Sequence, residues 1–330
     1  MDGILIVDKP EGWTSHDVVA RARRLLKEKR IGHTGTLDPF ATGVLVLLLG
    51  RATRLAQFLS GAEKEYEAKI RLGYDTDTGD LTGSRREGAG TTTKTCAAVT
   101  REELEAALAS LRGEIEQVPP MYSAKKIGGK KLYELARRGE EVERAAVRVR
   151  VSEFESVAFG DGSSIKPNGD GTCDVCARVV CSAGTYVRTL AESVGAALGT
   201  GAHLAALRRT RAGEFRVERA VTLETLQEIV EKGRLVGDVG EAGGVGRVEV
   251  GGEFLLPIET ALPHVPAAHL TGDEARRVRH GAAVASRVAD GLEDGAHVAM
   301  FDEEGVLLAV GSYDSGRGVL RPRVMLAVEK

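Results

Sequence analysis

The chain of 330 residues reads as α+β: a mixed, mostly antiparallel central sheet with flanking helices, followed by a small β-rich module. Three observations predict this. Strand-like runs alternate irregularly with amphipathic helical stretches, unlike the regular βαβ beat of a doubly wound fold. Long Gly-, Ser- and Thr-rich loops separate several of the strands, as at Gly83–Thr95 and Gly160–Gly171. The apolar pattern lapses in the Gly-rich segment Lys232–Gly252 and restarts at Val265 with short strand signals.

The elements follow in chain order. Ile4–Val7 is a strand. Ser15–Arg30 is a basic amphipathic helix. The apolar run Gly43–Leu49 is too short for a helix and reads as a buried strand, with a helix around Ala52–Ser60 after it. Tyr66–Leu72 alternates with period two and reads as a strand. Thr100 caps a helix running to about Leu111, and Glu103 completes a capping box. Val147–Phe159 and Thr172–Cys181 are strands, and Thr189–Leu198 is a helix. Beyond Val265 come a short basic helix, Asp273–His280, and strands at Val284, Ala296–Phe301, Val306–Val310 and Val319–Leu326. No internal repeat is visible.

Composition narrows the class. At 330 residues with 42% apolar content, the chain can bury about two ordinary cores. No apolar run approaches the ~18 residues of a membrane span, and the N-terminus has a strand pattern in place of a leader, so a cytoplasmic protein is expected. The net charge of −3 argues against nucleic acid, but the distribution argues for it. Arg21–Arg30 carries six basic residues against one acid, Met121–Arg138 six against one, and Arg208–Arg219 five against two, while acids collect elsewhere. One such run is usually a solvated face. Three suggest a groove for phosphates. Cys173 and Cys176, three apart on a strand, should face opposite sides, which suits neither a metal nor a mutual disulfide, so free thiols are expected. No Walker phosphate loop is present.

The densest chemistry lies in Ile31–Gly43, IGHTGTLDPFATG. It holds one His, three Thr, three Gly and a single acid, Asp38, followed by Pro39. Asp-Pro alone is a common turn, but a turn needs only four residues, and here a dozen are specialised. Asp38 is therefore a lone carboxylate on an irregular loop held between a helix and a buried strand.

This stretch resembles the catalytic motif of the bacterial TruB-type tRNA pseudouridine synthases. Ile4-Leu5-Ile6-Val7-Asp8-Lys9-Pro10, Lys64-Glu65-Tyr66-Glu67-Ala68, Cys181–Leu190 with its Gly-Thr-Tyr-Val-Arg-Thr core, and His203–Thr210 with its Leu-Arg-Arg-Thr end resemble further motifs of the family, in its order. The resemblance implies a pseudouridine synthase fold over residues 1–231, with a thumb-like insertion at about 119–146. It implies a flexible linker or insertion over 232–263 and a PUA-like RNA-binding domain over 264–330, the last carried by Leu270–Gly281. It implies that uridine 55 in the T-loop of tRNA is flipped into a cleft and isomerised. Asp38 would be the catalytic carboxylate, Arg188 its electrostatic partner and Tyr66 the stacking residue. His33, Lys9, Tyr186, Leu207 and the thumb lysines Lys125, Lys126, Lys130 and Lys131 would contact RNA or substrate. No cofactor, metal, membrane or obligate protein partner is implied, and a monomer is expected. The loops Gly83–Thr95 and Lys232–Gly252 have no counterpart in the pattern.

Asp38 could attack the ribose carbon or remove a ribose proton, and the sequence leaves both routes open. Two rival classes also remain. A noncatalytic RNA-binding or RNA-folding protein would keep every activity in Asp38→Asn. A nucleoside or glycoside hydrolase would release free uracil, but it usually needs a second acid near the first, and the motif has none.

Overall fold

The computed structural model describes residues 1–86, 93–232, 254–286 and 291–326. Most of the Gly-rich segment expected to be an insertion, residues 233–253, lies outside these, as do residues 87–92 of the earlier loop.

The chain opens with β1 (Gly3–Lys9) and α1 (Ser15–Leu26), then β2 (Ile31–Thr34) and β3 (Thr42–Leu49). A 3-10 turn leads into the short α2 (Ala56–Leu59), followed by β4 (Lys64–Leu72), α3 (Arg101–Ser110) and β5 (Gly113–Gln117). A small insertion carries β6 (Lys126–Ile127), β7 (Lys130–Lys131) and α4 (Leu132–Ala136). Next come β8 (Val147–Val157), β9 (Lys166–Pro167), β10 (Cys173–Cys181), α5 (Val187–Leu198), β11 (Ala202–Ala212), β12 (Phe215–Arg216) and α6 (Leu223–Glu231). After the segment outside the description, β13 (Leu255–Leu256) precedes the C-terminal elements: β14 (Ala267–His269), α7 (Gly272–Arg279), β15 (Val284–Ala285), β16 (His297–Phe301), β17 (Leu307–Asp314) and β18 (Val319–Met325).

The large sheet runs β13-β1-β3-β11-β4-β10-β8-β5, with β2 on β3, β12 on β11 and β9 on β10. Within it only the β3–β11 contact is parallel, so the expected mixed, mostly antiparallel α+β sheet is what forms. β11 was not legible as a strand: its arginines hide the apolar alternation, because Arg208 pairs with Asp8, Arg211 with Glu63, and Arg209 turns inward. β2 was read as loop, yet Ile31–Thr34 pairs in register with Thr34 opposite Val46. α1 starts as expected, at a Thr14–Asp17 capping box, but stops four residues early where Lys27 takes a left-handed φ of 50°.

The unbroken apolar run of β3 is explained by burial of both its faces. Leu45, Leu47 and Leu49 pack with Val18, Val19, Ala22 and Leu26 of α1 and Leu226 of α6. Val44, Val46 and Leu48 share a core with Ala299, Leu307, Val310 and Leu326 of the C-terminal domain. That domain is the expected β-rich unit, a five-stranded sheet ordered β14-β16-β17-β18-β15. Leu256, in the segment expected to be linker, pairs with Ile4 and joins the same core.

One expectation about the cysteines is corrected. Cys173 is disulfide-bonded to Cys96, 77 residues away in sequence, while Cys176 and Cys181 are free. Cys173 and Cys176 do diverge on the strand. The partner was missed because sequence proximity drew attention to the wrong pair.

Candidate active site

The loop between β2 and β3 is fastened from three sides. Ser15, fully buried at the start of α1, accepts from the Leu37 amide through its hydroxyl (2.9 Å) and lies 3.2 Å from the Leu37 carbonyl. Lys9 ends β1 with no solvent exposure, and its ammonium donates to the carbonyls of Pro10 (2.8 Å), Trp13 (2.6 Å) and Pro39 (3.1 Å). The Gly12 amide also donates to Pro39 (2.8 Å). From β11, the buried Arg209 donates to the carbonyls of Val44 (2.7 Å) and Gly35 (2.9 Å). Gly43 permits the approach of β3 to β11: its φ is +98°, and a Cβ there would stand 2.2 Å from the Arg209 carbonyl. These bonds fix the backbone on both sides of Asp38, whose side chain remains about one-third exposed.

Arg188 meets that carboxylate from the first turn of α5, with Nε 2.9 Å from Oδ2 and Nη2 3.3 Å from Oδ1. This is the two-point fork that a guanidinium offers a carboxylate. The rest of Arg188 is sealed: Nη2 donates to the Tyr122 carbonyl (2.7 Å) and Nη1 to the Thr78 carbonyl (2.9 Å), and Nη1 lies 3.8 Å from the Asp80 carboxylate. Asp80 is itself held by the Thr78 hydroxyl and by the amide and hydroxyl of Thr82. Gln117 grips the backbone at the N-cap of α5, accepting from Tyr186 N–H (2.9 Å) and donating to its carbonyl (3.3 Å). Burial raises the pKa of Asp38 above the usual carboxylate value; Arg188 pulls it back, Asp80 pushes it up and Lys9 pulls it down. The result is a carboxylate that is a stronger base than a free one, yet held beside a permanent cation.

An apolar wall stands next to this pair. Tyr66 of β4 and Leu207 of β11 are buried in one cluster with Leu37 and Phe40 of the loop. Burial raises the Tyr66 pKa above its ordinary value, so the phenol keeps its proton at neutral pH. His33 lies on β2 and is half-buried, not on an exposed loop. Its ring packs edge-on against His16 at 5.7 Å, and its Nδ1 is buried without a hydrogen-bond partner. Burial first, then the charges of His16 and Arg209, lower its pKa and favour the neutral imidazole.

The insertion beyond Pro119 forms a hairpin in which Gly128 (φ 57°) and Gly129 (φ 83°) make the left-handed turn. Lys126 and Lys130 are exposed there and Lys125 is half-buried; the Lys131 side chain lies outside the description. The Tyr122 carbonyl ties the root of this hairpin to Arg188.

The structure thus brings Asp38, Arg188, Tyr66 and Leu207 to one place, while Tyr186, at the N-cap of α5, is held there by its backbone bonds to Gln117. It sets the thumb lysines on a separate limb. Lys9 departs from the expected role: an ammonium with no exposure and three carbonyl partners holds the loop and has no donor left for a phosphate. The sequence reading does not mark Asp80, Gln117, Ser15 or Arg209 as site residues. Arg209 sits in the Leu-Arg-Arg-Thr motif without a role; Ser15 and Gln117 find their partners 22 and 69 residues away, and Asp80, bonded locally to Thr78 and Thr82, reaches the site only through Arg188 on α5.

The similarities to known proteins agree with this geometry. Residues 23–187 match the model of the TruB family pseudouridylate synthase N-terminal domain, and residues 188–263 that of the tRNA pseudouridylate synthase B C-terminal domain. The Asp38–Arg188 pair is therefore made across the two matched segments. The chain is 42% identical to tRNA pseudouridine synthase B of Ralstonia pickettii, over 97% of this chain and 92% of that protein. It is 43% identical to the protein of that name from Thermobifida fusca, over 96% of both. Among solved structures, a Cbf5-Nop10-Gar1 complex matches with a TM-score of 0.69 at 29% identity, covering 99% of this chain and 84% of that one. An H/ACA RNP bound to a substrate RNA containing 2′-deoxyuridine matches with a TM-score of 0.69 at 26% identity, covering 99% and 85%. With a family match across most of its length around a clamped, partly exposed aspartate, this chain belongs to the TruB family of tRNA pseudouridine synthases.

Proposed function

We propose that the chain isomerises uridine 55 in the T-loop of tRNA, acting as a monomer without a cofactor, in the cytoplasm where its substrate is found. The observation that carries this reading is the Asp38 carboxylate, one-third exposed on a rigid loop, forked by Arg188 and bordered by Tyr66 and Leu207. The reaction breaks the bond from uracil N1 to ribose C1′, turns the base, joins C5 to C1′, releases the C5 proton to solvent and leaves N1 to take one up. Nothing is oxidised or reduced.

Asp38 serves as the carboxylate at the anomeric region, either as nucleophile on C1′ or as base on a ribose proton. Its raised pKa strengthens it for both roles, and Arg188 favours its ionised form. Tyr66 presents a protonated ring against which a flipped uracil can stack, with Leu207 closing the apolar side. The half-buried His33 and the exposed Lys126 and Lys130 supply contacts to the opened RNA loop and its phosphates. The C-terminal domain, PUA-like in its size and strands, contacts RNA away from the cleft.

An unmodified tRNA transcript incubated with the protein tests this. Carbodiimide treatment and primer extension should then stop at position 55 and nowhere else. A stop elsewhere would overturn the site assignment while keeping the family's chemistry.

A further inference from the structure

Among the described residues five large apolar side chains stand exposed: Trp13, Leu81, Val118, Val157 and Val306. Three of them follow, or share a hydrogen-bond partner with, residues that frame the site. Leu81 follows Asp80, Val118 follows Gln117, and the Trp13 carbonyl shares the Lys9 ammonium with that of Pro39. Apolar side chains exposed singly are ordinary on a protein surface, so what each means depends on where its backbone is held.

Trp13 is the most informative. It is the only tryptophan of the chain, and 37% of it is exposed. Its backbone cannot drift: Gly12 bonds Pro39, Lys9 bonds the Trp13 carbonyl, and Thr14 begins α1 with a capping box. Standing one residue before that cap, Trp13 occupies the position where an apolar side chain commonly packs on the helix's fourth residue, here the buried Val18. Such packing accounts for a buried part and for any apolar residue at this place; it does not account for a large aromatic with a free face. His16, two residues after the cap, is exposed as well and packs on His33. The segment Trp13–His16 is thus a rigid aromatic edge laid along the catalytic loop.

We propose that Trp13 is a stacking platform for an unpaired base of the RNA next to the target uridine. The inference rests on the RNA-modifying reading given above. Turning one base out of a loop removes a stacking partner from its neighbour, and an indole held beside the cleft replaces it without ordering cost. A base is favoured over an apolar protein partner because the Lys9 ammonium holds the Trp13 carbonyl together with that of Pro39, the residue after Asp38, and because the exposed face is a single ring rather than a broad patch.

The chain's intrinsic tryptophan emission reports on Trp13 alone. Titration with an unmodified T-arm hairpin RNA should change that emission in step with binding measured by filter retention. Trp13→Leu keeps the apolar contact to the helix and loses the ring, and should weaken RNA binding about tenfold to a hundredfold while melting like the wild type. Trp13→Phe should recover most of the loss. Replacing the flanking nucleotide by an abasic one should erase the difference between wild type and Trp13→Leu. A Trp13→Leu protein that binds as tightly as the wild type, or an unchanged difference with abasic RNA on both flanks, would overturn the proposal. Tritium release from C5-labelled RNA is scored separately. Its absence with the emission change intact would reject the synthase reading and leave the stacking contact standing.

Discussion

Lys9→Met removes one buried charge from the frame of the catalytic loop, and the consequences can be worked out in sign and size. Burial pulls the Lys9 pKa from 10.5 down to about 8, against an upward pull from Asp38. In the unfolded chain the proton stays on to about pH 10.5. Between these values the unfolded state binds more protons than the folded one, so stability rises with pH by about 1.4 kcal/mol per unit. The full window is worth about 3 kcal/mol. Lys64, also pulled to about 8 by burial, adds the same slope, so only the difference between wild type and variant isolates Lys9. At neutral pH methionine preserves the stem but strands three carbonyls, which should cost ~1–3 kcal/mol. Activity moves the other way. A neutral amine has two N–H groups for three carbonyls, so the tether to Pro39 weakens and turnover should fall above about pH 8. Urea unfolding of both proteins from about pH 7 to about 9.5 measures the slopes. Parallel curves, with the wild type gaining no extra stability above pH 8, would refute the view that burial pulls the Lys9 ammonium down to about 8.

Two further perturbations probe the same frame. Arg188→Met leaves Asp38 without its cation and strands the carbonyls of Thr78 and Tyr122. The Asp38 pKa, already raised, should climb further, so the acid limb of single-turnover tritium release should shift to higher pH and the rate at pH 7 should fall by about a hundredfold or more; an unmoved limb would contradict the pairing. Gly43→Ala forces a Cβ to 2.2 Å from the Arg209 carbonyl at a φ of +98°. It should cost about 3 kcal/mol or more in urea unfolding, and a change below about 0.5 kcal/mol would show that β3 and β11 do not meet this closely.

Much of the framework was legible because it depends on local pattern. The runs in β1, β3, β4 and β10 announce buried strands, and the Thr100 cap announces a helix start. Asp38 stood out because its loop is chemically dense. Arg188 and Tyr66 were reached only through family resemblance, since an isolated Arg or Tyr looks the same in an ion pair or a core. What stayed hidden is tertiary. β11 carries arginines whose partners, Asp8 and Glu63, lie on other strands. Gln117 looks like an ordinary strand residue until its amide is seen to replace a backbone partner for Tyr186. The resemblance puts Lys9 among the RNA or substrate contacts; its carbonyl cage depends on a turn brought in from Pro39, 30 residues away.

The central claim is that Asp38 carries the chemistry rather than the binding. Asp38→Asn keeps the shape and can still bond to Arg188, but it removes the charge. With tRNA labelled with tritium at uracil C5, single-turnover release should fall by at least about a thousandfold in this variant, while filter binding of the same RNA stays within a few-fold of wild type. Release by Asp38→Asn at close to the wild-type rate would contradict the account, because the isomerisation would then proceed without the carboxylate around which the site is built.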